Sequence, residues 1–337
     1  MNKIGTRPPG TRTSGTRTSG THTSGAHQVP RRVCVIGGSR YFGKLLVELL
    51  HAAGHRVTVI NRGSVPPPEG VEHLVVDRDD EAALTAALAG RAFDVVVDQV
   101  CYTPVQASIA VRAFSGRTRR YVMTSTIEVY DPATAAPGEV ATLAPGTPVP
   151  EDLVDPAGGP VRTDLPWQDA AYREAHYAEG KRQAEAVFTR EGRFAFACVR
   201  SAHVLGGGAR EFTGRLAYYV ERVAGGREIA VHAGALPTVF IHYRELAELL
   251  LWAATATGFT GAVNACSDGL LDVRDLVAVI AGQTGRRPVY RTVAAGGEAS
   301  PFSFERHYAM RNDRALELGF AFSRTADWLP GAVAEAL

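Results

Sequence analysis

The sequence predicts an α/β protein: a doubly wound parallel sheet followed by a smaller C-terminal lobe. Two observations carry this. Short apolar strands and helices alternate over some ninety residues from Val33, and a glycine turn joins the first strand to the first helix. In order, strands are expected at 33–36, 56–60, 73–76, 93–97 and 120–123. Helices fall at 41–53, 81–88 and 104–114. The texture then changes: eight prolines between Pro132 and Pro166 mark a long loop or lid within 131–169. Helical periodicity returns at 170–191, followed by a strand at 194–199 and a glycine cluster at 206–208. Further helices are expected at 214–223, 243–256 and 273–283, a strand at 262–265 and a last segment at 313–318. The chain therefore divides into a tail (1–30), a dinucleotide-binding domain (31–200) and a mainly substrate-binding lobe (201–337).

Composition narrows the function classes. A chain of 337 residues with 45% hydrophobic content can bury a large core, and a net charge of +1 offers no global field for nucleic acid or membrane. No apolar run reaches the roughly 18–20 residues that span a bilayer. Cys34, Cys101, Cys198 and Cys266 are far apart and sit in mostly apolar contexts, so buried thiols in a cytoplasmic protein are expected and no metal site. Residues 1–30 repeat glycine every fifth position among Thr, Ser, Arg and His, the composition of an unstructured extension.

The glycine turn is the most informative stretch. Between the strand at 33–36 and the next helix lie Gly37, Gly38, Ser39, Arg40, Tyr41, Phe42 and Gly43. Glycine lets backbone approach a phosphate, and the following helix N-terminus favours the anion, so a dinucleotide pyrophosphate is expected there in a Rossmann-type fold. Tyr177 and Lys181 are four apart on an expected helix and share a face. A neighbouring ammonium and a nicotinamide cation would bring the phenol into working range as an acid or base. Thr124, Ser125 and Thr126 place hydroxyls at the end of the fifth strand, in the ligand cleft of such a sheet.

With these residues in place, the chain from about residue 31 resembles the extended short-chain dehydrogenase/reductases, the epimerase/dehydratase group. The glycine turn, Ser125-Thr126-Ile127-Glu128-Val129-Tyr130, Tyr177-x-x-x-Lys181, the 200–206 segment and Phe240-Ile241-His242 carry the resemblance. It implies that Thr126, Tyr177 and Lys181 are catalytic, that Lys181 also grips the nicotinamide ribose, and that Glu128 is either an acid/base or a structural carboxylate. Sugar 4,6-dehydratases carry an aspartate where Ile127 stands, which weighs against that reaction. The resemblance also implies a nicotinamide cofactor, a small sugar or nucleotide-sugar-like substrate, and pairing of two copies through long helices. Three outcomes stay open: an epimerase or dehydratase with internal redox, an NADPH-dependent ketone reductase, and a non-catalytic nucleotide-sensing or RNA-associated protein.

The remaining site residues are those that the same resemblance implies at the strand ends. Arg40 replaces the middle glycine of the usual turn and must swing outward. Asn61-Arg62 stands where an acidic residue would hold the ribose of NAD, which favours NADP(H) over NAD(H). Asp77 and Arg78 are expected at the adenine, and Val100 and Cys101 beside the nicotinamide. His203 and Arg210 are expected on the substrate, with Arg215 and His242 as weaker candidates.

Overall fold

The computed structural model describes residues 29–141, 143–144 and 146–337. The expected tail, 1–30, falls outside them except for Val29 and Pro30. The expected alternation is observed: β1 (Arg32–Ile36), α1 (Tyr41–Ala52), β2 (Arg56–Asn61), β3 (Glu72–Val75), α2 (Glu81–Ala87), β4 (Val95–Asp98), α3 (Pro104–Phe114) and β5 (Arg120–Thr126). Next come α4 (Ala170–Ala175), α5 (Tyr177–Glu191), β6 (Ala195–Ser201), β7 (His203–Leu205), α6 (Arg215–Ala224), β8 (Glu228–His232), β9 (Phe240–His242) and α7 (Tyr243–Thr255). The chain closes with β10 (Gly261–Ala265), α8 (Val273–Thr284), β11 (Val289–Val293), α9 (Asp313–Glu317) and α10 (Thr325–Ala336).

Seven strands form one sheet in the order β10-β6-β5-β4-β1-β2-β3, every pairing parallel. Winding reverses between β1 and β4, where Ile36 pairs with Asp98, and the ligand cleft of such a sheet opens at that switch point. Helices α1 and α7 cover one face, and α3 and α5 the other, which is why the central strands bury nearly every side chain. A separate core formed by α6, α8, α10, β8 and β9 makes the smaller lobe.

Several expectations change. Helix 170–191 is two helices, because the His176 backbone (φ −114°, ψ 29°) leaves helical geometry and its ring stacks on Tyr172. Helical periodicity continues through such a kink, so the pattern hides it. The strand at 93–97 moves to Val95–Asp98, placing a carboxylate at its end. A cut at residue 200 does not separate the halves: β10 pairs with β6 and α7 packs on α1, so 243–265 completes the nucleotide-side sheet. Finally, among the described residues of 131–169 only Thr134 lines the cleft, so the described part of this segment is a strap along the protein rather than a lid over the site.

The strap is held by buried charge. Arg200 and Glu185 form a fully buried ion pair of 2.6 Å. Arg200 also donates to the Glu151 carbonyl at 2.7 Å and to the Tyr130 hydroxyl at 2.9 Å, while Ser125 donates to Glu185 at 2.5 Å. Removing one partner strands the other charge in the core, so Glu185→Ala should destabilise the fold by about 3–5 kcal/mol; urea unfolding at neutral pH measures this.

Candidate active site

A cleft of about 990 Å³ runs along the carboxyl ends of the strands. Its nucleotide end is built by the β1–α1 turn. Gly37 and Gly38 adopt φ +98° and +71°, and a Cβ on Gly38 would come within 2.9 Å of Val47. Gly43 lies behind the cleft, where its missing side chain admits the Gln99 carboxamide. Tyr41, the first residue of α1, takes φ 51°, a left-handed conformation in a residue with a side chain. Its hydroxyl donates to the Gly206 carbonyl at 2.9 Å and its ring stacks on Tyr243, which over-determines the strained backbone. Arg40 does swing outward: it is exposed, and its guanidinium lies 5.8 Å from the centre of the Phe212 ring. Asn61 donates to Ser39 at 3.0 Å and accepts from the Gly63 amide, so its amide shapes the turn; Arg62 is exposed at the rim.

Asp77 lines the cleft, but the Arg78 guanidinium turns inward. It donates to both Asp98 oxygens at 2.9 and 2.7 Å and to the Gln106 carbonyl, so its charge fastens the sheet end while the residue still forms part of the cleft wall. Asp98, which no sequence motif singles out, also accepts from Tyr121 at 2.6 Å. A charged residue ending the apolar run Val95–Asp98 was the available signal. Val100 lines the cleft, whereas Cys101 is buried behind it, where burial raises its thiol to about 12. Cys101 is thus backing for the wall and does not line the cleft.

At the other end, Thr126 terminates β5 and Tyr177 begins α5. Tyr177, Lys181 and Glu185 recur every four residues, one stripe of α5 turned to the sheet. Gly180 sits against the Tyr102 carbonyl and Trp167, so its lack of a side chain lets α5 approach this closely. The Lys181 ammonium donates to the Thr124 carbonyl at 2.8 Å and lies 4.7 Å from the Tyr102 ring centre, nearer than the 5.9 Å to that of Tyr177. Burial lowers Lys181 to about 8. Burial raises the Tyr177 phenol, and Tyr102 adds to the rise; a hydrogen bond with Thr126 and the charge of Arg215 oppose it. Burial is thus the largest influence on the Tyr177 phenol, while the Lys181 ammonium is bonded to Thr124 and lies closer to Tyr102.

Burial also raises Glu128, opposed chiefly by Arg306. Its Oε2 accepts from Arg306 at 2.6 Å and from Tyr308 at 2.8 Å, and Arg306 pairs with Asp131 too. Glu128 consequently ties the 300–312 segment to the end of β5. His203 lies in the cleft wall, stacked on Phe304, and burial lowers it to about 3, keeping the ring neutral. Arg210 is outside the cleft, bonded to Tyr243 at 3.3 Å; Arg215, at the start of α6, lines it. His242 packs on Tyr243 and Trp328, away from the cleft. Four buried side-chain atoms of cleft-lining residues, Arg78 Nε, Gln99 Nε2, Thr124 Oγ1 and His203 Nε2, have no hydrogen-bond partner among the described residues, and with the glycine cradle they fit a polar ligand along the whole cleft. Among the described residues no three His, Cys, Asp or Glu side chains gather as a metal site, and no helix is long and apolar enough to cross a membrane.

Residues 33–150 match the model of the NAD dependent epimerase/dehydratase family, and this stretch carries a domain of that family. Over 116 residues the chain is 38% identical to 2'-dehydrokanamycin reductase of Streptomyces kanamyceticus; the match spans 34% of this chain and about a third (33%) of that curated relative's length. The fold is that of WbmH of Bordetella bronchiseptica, solved with NAD+ (TM-score 0.67, 18% identity, 91% of this chain and 98% of that one). It is likewise that of Thermotoga maritima UDP-glucose 4-epimerase, solved with UDP-glucose (TM-score 0.66, 17% identity, 90% and 98%).

The depressed lysine gives a pH signature. Between about 8 and the ordinary 10.5, the unfolded chain keeps the Lys181 proton that the folded chain has released. The unfolded state then binds more protons, so stability contributed through this site rises with pH across that window. Comparing unfolding free energies of wild type and Lys181→Met from pH 7.5 to 10.5 should show the rise in wild type and its loss in the variant.

Proposed function

We propose that the protein transfers a hydride between a nicotinamide dinucleotide and a hydroxyl-bearing or ketone carbon of a sugar-like substrate, with Tyr177 as the proton carrier. The observation that carries this reading is the meeting of Thr126, Tyr177 and Lys181 in the wall of one cleft whose other end is a glycine cradle. The nicotinamide supplies or accepts the hydride when bound. The chain does the rest. Gly37 and Gly38 admit the pyrophosphate, Val100 and Tyr102 wall the reacting carbon from water, and Lys181 and Thr124 meet the ribose. Thr126 orients the substrate oxygen, and Tyr177 gives that oxygen its proton or takes it away.

Ketone reduction is the favoured reaction, in which the protonated Tyr177 phenol gives its proton to the forming alkoxide. The similarity to 2'-dehydrokanamycin reductase agrees with that direction. Internal redox, as in an epimerase, uses the same three side chains and is distinguished by cofactor retention. Water elimination has less support, since Ile127 is apolar and Glu128 is engaged by Arg306 and Tyr308. NADP(H) is the favoured cofactor: Asn61 brings no charge to repel a 2′-phosphate, and exposed Arg62 and Arg40 line the same end.

Tyr177→Phe should cut turnover by roughly 10²–10⁴-fold while dinucleotide affinity stays within a factor of two or so, as read by stopped assays and fluorescence titration. Loss of binding together with turnover would assign Tyr177 to cofactor binding instead. Arg62→Ala should weaken NADPH more than NADH; equal losses would remove the case for the phosphorylated cofactor.

A further inference from the structure

We propose that Tyr102 is a positioning residue for Lys181: the face of its ring seats the Lys181 ammonium in the cleft wall and keeps it positive there. What the lysine then does for a ligand rests on the oxidoreductase reading above. Lys181 is 2% exposed, an environment in which an ammonium is costly unless its surroundings compensate the charge. An ammonium carries three donors, and the Thr124 carbonyl takes one of them at 2.8 Å. The buried carboxylates that act on this lysine are engaged elsewhere. Asp98, at the end of β4, accepts from Arg78 and Tyr121, and Glu185, one turn further along α5, holds Arg200 and Ser125. Among the described residues no carboxylate lies within ion-pair distance of the Lys181 Nζ. Burial lowers the lysine to about 8, against Cys101, Asp98 and Glu185, which favour its charge, and together with Arg78, which opposes it.

A ring face supplies what the carboxylates do not. A cation within about 6 Å of a ring centre is drawn to the electron-rich face, more strongly when both are out of water. The Tyr102 centre is 4.7 Å from the Lys181 Nζ, while that of Tyr177, at 5.9 Å, is at the margin of this range. Tyr102 is itself pinned on two sides. Its backbone amide donates to Gln106 Oε1 at 2.7 Å, and Gln106 donates in turn to Asp79 at 2.7 Å, which fixes the loop between β4 and α3. Its carbonyl lies against Gly180, where a Cβ would collide with that oxygen, so the loop and α5 are set against each other. The Tyr102 hydroxyl has no hydrogen-bond partner among the described residues, so the ring is what this side chain brings to Lys181. Tyr102 therefore sets how much positive charge the site offers at neutral and alkaline pH.

The chain contains three lysines, Lys3, Lys44 and Lys181, so protein made with isotope-labelled lysine gives few signals and Lys181→Met identifies the one of interest. An NMR titration of the full chain, without cofactor, reads the Lys181 midpoint directly. Tyr102 is replaced in turn by phenylalanine, a monofluorinated and a trifluorinated phenylalanine, since fluorine draws electron density off the ring face with little change of shape. Tyr102→Phe should keep the wild-type midpoint, and fluorine should then lower it stepwise by about one pH unit in all, about tenfold in the ionisation equilibrium. Tyr102→Leu, which has no ring, should fall as far; the fluorinated series carries the comparison if that variant melts early. Midpoints agreeing within about 0.2 across the series, or a Lys181 still positive at pH 10.5 with every ring, overturn the inference. Failure of the oxidoreductase reading shows separately, as no binding of NADPH or NADH by wild type in calorimetry. The lysine midpoints are measured without either dinucleotide and decide the role of the ring by themselves.

Discussion

The buried Arg200–Glu185 pair is the constraint from which the geometry of the site follows. It joins three parts of the chain at one buried point: α5, the sheet and the proline-rich strap. Arg200 stands on β6, Glu185 on α5, and the guanidinium takes up carbonyls from the strap while its carboxylate partner accepts from Ser125 at the end of β5. A charge pair in an apolar interior is stable only when its remaining donors and acceptors are met, and here Tyr130, Glu151, Val154 and Ser125 meet them. Glu185 belongs to the same stripe as Tyr177 and Lys181. Fixing its position therefore fixes the rotation of α5 and aims the phenol at Thr126.

A second polar cluster does the corresponding work beneath the cofactor end. Asp98, fully buried, gathers Arg78, Tyr121 and the Val100 amide at the switch point between β1 and β4. The loop after β4, which carries Gln99, Val100 and Tyr102 along the cleft, takes its course from that carboxylate. Both clusters lie one layer below the cleft surface.

The tyrosine and lysine show how far spacing alone carries chemistry. Four-residue spacing places them on one face, as it does here, but what each does is set by its neighbours. Lys181 finds a backbone carbonyl and the Tyr102 ring before it finds Tyr177. Burial raises the phenol and lowers the ammonium, so in the absence of a cationic partner the pair rests as protonated tyrosine beside a lysine that titrates near 8. Desolvation outweighs the pairwise attraction because both groups are enclosed by the same apolar walls.

Local sequence was enough to define the alternation of β1 through β5 with their helices, the glycine turn and the Thr126, Tyr177 and Lys181 set. Each is a short-range pattern: apolar runs, glycines with positive φ, and a four-residue helical spacing. Packing was needed to turn Arg78 and Cys101 inward, to bring Arg215 and not Arg210 to the cleft, and to let Arg306 and Tyr308 seize Glu128 from about 180 residues away in sequence. Packing also returned β10 to the main sheet. These depend on which distant groups compete for a charge or a hydrogen bond, and that competition is settled only once the elements have met.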